Sequence, residues 1–528
     1  MITRLWQALW TSHHQTKRAL KLVPSADSDT PPSSYSQPQL VGLILGPVLF
    51  ALTMLFFAPT DLSPEGKAVL AVTVWVATWW ITEAIPIPAT SLLPILLLPL
   101  TGALSNSTVT SAYGDDIIYL FLGGFFIAAA MEKWNLHKRI ALAIIAFVGT
   151  STQRILLGFM LATGFLSMWV SNTAAVMMMV PMALAITAQV GASIKGLPEE
   201  ADLPCFGKSL LFGVGYAGTI GGLGTLIGTP PNIILAAQVQ QLFGQEISFA
   251  SWMLIGAPLV FVLLVATWIY LGRLAFPTRM QQLPGGAELI QRERDALGRI
   301  GFEEKVVAVI FTLAAFFWIT REFIWTSLVP ELRDGMIAVT AAVALFVIPA
   351  RSPGQLRVLD WKDSKEIPWG ILLLFGGGLA IAAGFRESGL SAWLGGQLTV
   401  FDGFHLIVMI ASSALLILFL TEITSNTATA TMILPVVASL ALALGIHPFA
   451  LMIPCAMAAN CAFMLPVGTP PNAIIFATGE ITIREMMRVG FLLNILAVIL
   501  IVLMVYFLVP MIWDIDLNVV PPEFLQMR

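Results

Sequence analysis

Charge is scarce in this sequence. Asp, Glu, Lys and Arg make up 11% of its 528 residues, where a soluble globular chain carries about 25%. That excludes a chain whose whole surface faces water. Cysteine is scarcer still. Cys205, Cys455 and Cys461 show no metal-ligand spacing and lie in or beside apolar segments, so they read as packing residues. The five histidines, His13, His14, His137, His405 and His447, fall outside every motif described below. Gly-x-Ser-x-Gly, His-Glu-x-x-His and phosphate-loop patterns are missing, which leaves an enzyme without its positioned nucleophile or base. Residues 1–22 carry Arg4, Lys17, Arg18 and Lys21 with no short apolar core and cleavage site behind them, so no cleavable signal peptide is read there. That stretch reads as a cytoplasmic or interfacial helix, and 24–39 as a Pro/Ser-rich linker.

What the sequence has in excess is apolar length. Hydrophobic residues make up 57% of it, in runs long enough to cross about 30 Å of hydrocarbon. Spanning segments are predicted at 40–58, 66–82, 86–100, 117–133, 207–245, 250–275, 305–327, 335–350, 367–385, 448–480 and 487–512. Two further stretches, 155–188 and 404–444, each hold two apolar arms joined by Ser-Asn-Thr. Arms of about 15 residues are short for a crossing, so each pair reads as a re-entrant hairpin. The fold class expected is an all-α polytopic membrane protein with about 11 transmembrane helices and two such hairpins. Its parts are a tail and linker (1–39), a first half (40–276), a cytoplasmic linker loop (277–304) and a second half (305–528).

With the N-terminus inside and each hairpin returning to its own side, 22 of the 27 Lys and Arg fall on one side. Only Lys67, Arg321, Arg333, Arg386 and Arg528 fall on the other. The bias makes the first side cytoplasmic and fits a bacterial inner-membrane protein. It puts the first hairpin on the cytoplasmic side and the second on the outer side. Trp79, Trp80, Trp369 and Trp513 read as interface anchors, and Asp115 and Asp116 as solvated structure.

The halves repeat. LGGFFIAAAMEKWNL (122–136) aligns with GGGLAIAAGFRESGL (376–390), and SNTAAVMMMVP (171–181) with SNTATATMILP (425–435), both 254 positions on. GTPPN recurs at 228–232 and 468–472, 240 positions on. Since the hairpins open to opposite sides, the repeats are inverted, and inverted repeats with broken helices are the architecture of secondary transporters.

Each motif suggests a ligand. Ser171-Asn172-Thr173 and Ser425-Asn426-Thr427 precede helix starts, where N-cap residues and free N–H groups favour an anion. Two such N-termini facing each other suit a ligand with an anionic group at each end. In GTPPN, Pro-Pro removes two donors and breaks the helix, freeing carbonyls such as those of Gly228 and Gly468 for a hard cation. Gly221, Gly222 and Gly224 allow close backbone approach. No basic side chain falls inside these motifs. An oxyanion site without Arg needs positive charge from helix dipoles and co-bound cations, which is the physical reason to expect cation coupling.

GFLSMWVSNTAAVMMMVPMALAI and FLTEITSNTATATMILPVVASLA, each followed by GTPPN, resemble the divalent anion/sodium symporter family over roughly residues 40–515. This family includes sodium–dicarboxylate and sodium–citrate cotransporters and some dicarboxylate exchangers. The resemblance implies sodium-coupled uptake of C4-dicarboxylates (succinate, malate, fumarate) by an elevator mechanism in a homodimer within membrane lipid. No cofactor beyond sodium and no nucleic-acid partner is expected. Carried over by motif position, one sodium would use Ser167, Ser171, Asn172 and the Gly228 backbone. The other would use Thr421, Thr424, Asn426 and the Gly468 backbone. Substrate carboxylates would meet Asn172, Thr173, Asn426, Thr427, Thr229 and Thr469, near Pro230 and Pro470. A sodium-independent exchanger and a citrate or sulfate symporter share these motifs. A channel would need a continuous polar pore in place of one compact site.

Glu422 breaks the repeat, standing where the first half has Met168. An acid at membrane depth is a functional candidate: it could tune the second cation site, carry a proton, or accept hydrogen bonds within the hairpin.

Overall fold

The computed structural model describes residues 35–525 apart from residues 60, 150, 279, 281–285 and 398–402. Residues 1–34 of the expected tail, and part of the linker loop, lie outside the described residues. Among the described residues the secondary structure is helical, with one isolated bridge between Pro349 and Arg357. In hydrocarbon a helix satisfies its own backbone polar groups. Among the described residues, eight helices are long and apolar enough to cross a membrane, and four shorter apolar helices accompany them.

Several expectations need correction. The span predicted at 86–100 is two short helices, Ile87–Thr90 and Leu93–Leu100. Pro88 and Pro94 each sit at a first turn, where proline starts a helix and cannot continue one. Trp80 is no interface anchor. It is buried and donates from Nε1 to Ser91 Oγ at 3.1 Å. Trp79 donates to the Gly42 carbonyl at 2.9 Å, tying the Gln37–Phe56 helix to Pro64–Thr82. Asp115 is a helix cap whose carboxylate accepts from Ile117 N at 3.0 Å.

Ten helices carry the repeat. In the first half they are α1 (Asp116–Lys133), α2 (Thr152–Ser167), α3 (Asn172–Ser193), α4 (Leu203–Gly221) and α5 (Pro230–Phe243). In the second half they are α6 (Trp369–Glu387), α7 (Leu406–Thr421), α8 (Asn426–Ala443), α9 (Phe449–Asn460) and α10 (Pro470–Ala477). The starts of α2 and α3 map onto those of α7 and α8 at the 254-residue spacing, and α5 onto α10 at 240. The arms α2 and α7 have 16 residues each, but α3 and α8 have 22 and 18. The second arms are therefore longer than the sequence reading allowed. Helix α1 passes α6 in the opposite direction. Lys133 at the end of α1 pairs at 2.8 Å with Asp363, just before α6. Phe121, further back in α1, meets Phe375 inside α6 with centroids 5.1 Å apart.

Candidate functional site

Both breaks are built on one plan. Between α4 and α5 the backbone leaves helical geometry after Gly224, and Asn232 clamps the two ends of the gap. Its Nδ2 donates to the Gly222 carbonyl at 3.0 Å and the Thr225 carbonyl at 2.8 Å. Between α9 and α10, Asn472 Nδ2 donates to the Ala462 carbonyl at 2.9 Å and the Leu465 carbonyl at 3.0 Å. The partners match residue for residue at the 240-residue spacing. So the last residue of each GTPPN ties down carbonyls in the stretch where the chain leaves the helix. The sequence reading quoted this Asn twice without giving it a role; its recurrence beside Pro-Pro was the available signal. Gly228 must be glycine, since a Cβ there would lie 2.5 Å from the Gly222 carbonyl oxygen.

The Ser-Asn-Thr tips lie against these breaks. Ser167 Oγ donates to the Gly218 carbonyl at 2.5 Å. With the amide turned so that its nitrogen faces this cluster, Asn172 Nδ2 donates to Ser167 Oγ at 2.6 Å, to the Gly228 carbonyl at 3.1 Å and to the Gly218 carbonyl at 3.3 Å. Three oxygens, Ser167 Oγ and the Gly218 and Gly228 carbonyls, thus converge on the Asn172 amide. A cation at the centre of this set would turn the amide so that its oxygen faces inward in place of the nitrogen. In the second half Thr421 Oγ1 donates to Asn426 Oδ1 at 2.6 Å and to the Ala459 carbonyl at 2.8 Å. Ser167 and Thr421 are fully buried behind the two asparagines.

The remaining candidates divide. Ser171 Oγ caps α3, accepting from Ala174 N at 3.2 Å, while Ser425 makes no such cap. Thr424 Oγ1 donates to the Leu420 carbonyl at 2.8 Å and lies 2.6 Å from Thr429 Oγ1, sharing no hydrogen-bond partner with Thr421 or Asn426 among the described residues. One cavity is lined by Asn172, Thr173, Gly228, Thr229, Pro230, Thr424, Asn426, Thr427, Gly468, Thr469 and Pro470 together. The cavity runs on to Glu83, Glu132, Glu366 and the stretch Ser36–Gln39. No Lys, Arg or His is among its described lining residues. Asn460, which also lines it, was not singled out from sequence, having no polar counterpart in the first half.

Glu422 is a structural acceptor. Its Oε1 accepts from Phe463 N and Met464 N, both at 2.9 Å, and from Asn494 Nδ2 at 2.7 Å; its Oε2 accepts from Leu465 N at 3.0 Å. A buried carboxylate requires such partners. They are the loop backbone of the second break plus one side chain of the Ile483–Leu503 helix.

A family profile described as the sodium:sulfate symporter transmembrane region matches residues 37–513. The sodium-dependent dicarboxylate transporter SdcS of Staphylococcus saprophyticus is 57% identical over 489 residues, covering 92% of this chain and 94% of its own. SdcS of Staphylococcus aureus (strain bovine RF122 / ET3-1) is 55% identical over 511 residues, covering 96% and 98%. The chain belongs to the divalent anion/sodium symporter family. The motif resemblance therefore holds across nearly the whole chain. Among solved structures, Neisseria gonorrhoeae MtrF matches this symporter-family chain with a TM-score of 0.53 at 13% identity, covering 90% of this chain and 96% of its own. The Alcanivorax borkumensis YdaH transporter matches with 0.53 at 12%, covering 89% and 99%. At such identities the likeness concerns the fold alone.

Proposed function

We propose that this protein is a sodium-coupled symporter that takes up C4-dicarboxylates such as succinate, malate and fumarate, and is not an enzyme. The observation that carries the reading is the pair of repeat-related sets, Ser167–Asn172 beside the Gly218 and Gly228 carbonyls and Thr421–Asn426 beside the Ala459 carbonyl, beneath a cavity with no basic side chain among its described lining residues. A dicarboxylate entering that cavity meets helix N-termini but no formal positive charge. Sodium held by neutral hydroxyl, amide and backbone oxygens supplies the missing charge, and binding of either ligand then favours the other. The first sodium is held by Ser167, Asn172 and the Gly228 carbonyl, with Ser171 at the tip. The second is held by Thr421, Asn426 and the Gly468 carbonyl, with Thr424 near. The names of the SdcS relatives, sodium-dependent dicarboxylate transporters, support both ligands.

The proposed motion is elevator-type alternating access between inverted repeats, with α2–α3 and α7–α8 as re-entrant hairpins. The antiparallel passage of α1 and α6 supports the inversion. Glu132 and Glu366, which line the cavity, lie at the end of α1 that holds Lys133. By the charge bias that end faces the cytoplasm, so this state is open inward with the N-terminus inside. The far end of α1 lies where ion pairs tie residues 241–249 to their neighbours. Arg321 pairs with Glu246 at 2.5 Å and with Asp334 at 2.7 Å, Asp334 accepts from Phe249 N at 2.8 Å, and Arg386 donates to the Gln241 carbonyl. These contacts support an outer face held shut. The halves divide at 40–276 and 305–528, joined by the 277–304 linker. The weakly buried helices Gln37–Phe56 and Phe302–Trp325, with 11% and 28% of their apolar windows covered, leave faces for lipid and for the partner of a homodimer.

The test is radiolabelled succinate uptake into proteoliposomes under an inward sodium gradient, against the same gradient of choline. Uptake only with sodium is expected, with malate and fumarate competing and sulfate and citrate competing weakly. Uptake that ignores sodium but needs internal dicarboxylate would make the protein an exchanger.

A further inference from the structure

The repeat pairs Thr229 with Thr469, yet the two hydroxyls are engaged differently. Asn460, the last residue of α9, is buried and donates from Nδ2 to the Thr219 carbonyl at 2.7 Å. A carbonyl oxygen only accepts, so this bond fixes the amide orientation and turns Oδ1 toward Thr229. Thr229 Oγ1 then commits its proton to Asn460 Oδ1, at 2.7 Å, and offers the cavity lone pairs alone. Thr469 accepts from Asn472 N at 3.4 Å within its own helix and donates to no group among the described residues. Its proton is available to a ligand. The difference traces to one position: 240 residues before Asn460 stands Ile220, which has no amide to engage Thr469.

We infer that Asn460 is a positioning residue that sets substrate specificity. By holding Thr229 as an acceptor, it makes the cavity read a hydroxyl group on the carbon chain of the dicarboxylate. A 2-hydroxy acid such as malate donates its hydroxyl proton to Thr229 Oγ1, a bond succinate cannot make. A carboxylate does not take that place, because two acceptors would then face each other with no proton between them. The carboxylate falls to Thr469 and to the tips of α3 and α8. This inference rests on the dicarboxylate reading above and refines it.

The experiment measures KM for succinate and for L-malate in sodium-driven proteoliposome uptake, for the wild type and for Asn460→Ala. Loss of the amide lets Thr229 turn, and the L-malate KM is expected to rise about tenfold relative to the succinate KM. Thr229→Ser, which keeps the hydroxyl, is expected to keep the wild-type ratio of the two. An equal change of both KM values in Asn460→Ala overturns the inference and leaves the dicarboxylate reading standing. Wild-type uptake of neither acid with sodium overturns both. If Asn460→Ala does not fold, the wild type alone decides. One fixed acceptor on one side of the cavity makes L- and D-malate unequal inhibitors of succinate uptake, by about fivefold or more. Equal inhibition by the two enantiomers overturns the inference.

Discussion

At the first break, Met168 packs its side chain against Gly224, where a Cβ would come within 2.8 Å of the Met168 methyl, and its carbonyl accepts from Thr225 Oγ1 at 2.5 Å. Trp252 Nε1 adds a bond to the Leu223 carbonyl at 3.0 Å. At the second break, the Glu422 carboxylate takes three backbone N–H groups of residues 463–465. The asparagine clamps are the same in both, so the backbone plan is shared while its support is not. The first loop is held through its own oxygens and apolar packing, the second by one buried charge. That charge sits beside Gly468, whose added Cβ would lie 3.2 Å from Glu422 Oε2. The comparison teaches that duplicated chemistry at the tips does not require duplicated scaffolding behind them.

Removing the charge is the hardest test of that contrast. Glu422→Ala strands four donors, two of them buried (Phe463 N and Asn494 Nδ2) and two part-buried, and a buried donor left unmet costs about 1–3 kcal/mol. Thermal unfolding in detergent is expected to show a loss of about 4 kcal/mol or more, or no folded protein. Met168→Ala, at a half-buried site, is expected to lose about 1–2 kcal/mol. Equal losses would break the comparison. Function should be more symmetric than support: Asn172→Ala and Asn426→Ala are each expected to lower sodium-driven uptake by about 100-fold while the protein stays folded. Normal transport by both variants would remove the site. The shared clamps predict matched effects, with Asn232→Ala and Asn472→Ala each destabilising by about 2 kcal/mol, two hydrogen bonds apiece. The smallest contrast lies at the caps. Ser171→Ala is expected to cost about 1 kcal/mol, and Ser425→Ala, which loses no cap bond, within about 0.5 kcal/mol of nothing.

The parts of this molecule legible in its sequence are those that repeat. Ser171–Thr173 with Ser425–Thr427, and the two GTPPN segments, announce helix starts and breaks because cap residues and Pro-Pro act locally. Residues that act across the fold were not legible. Asn460 reaches from the second half into the first, and nothing near it in the chain signals Thr229. Glu422 was visible as an acid at membrane depth, but which donors it meets depends on the path of residues 463–465. Trp80 looked like an anchor beside Trp79, since packing depth is a tertiary property. The 86–100 segment was apolar enough to cross and was divided by its prolines.

The central claim is that two repeat-related oxygen sets bind sodium and thereby build the anion site. Its most direct test is the sodium dependence of succinate binding to purified protein, for the wild type, Ser167→Ala and Thr421→Ala. The account predicts a Hill coefficient for sodium of about 2 or more in the wild type, falling toward about 1 in each variant as one set is lost. A Hill coefficient and half-saturating sodium concentration unchanged in both variants would contradict it.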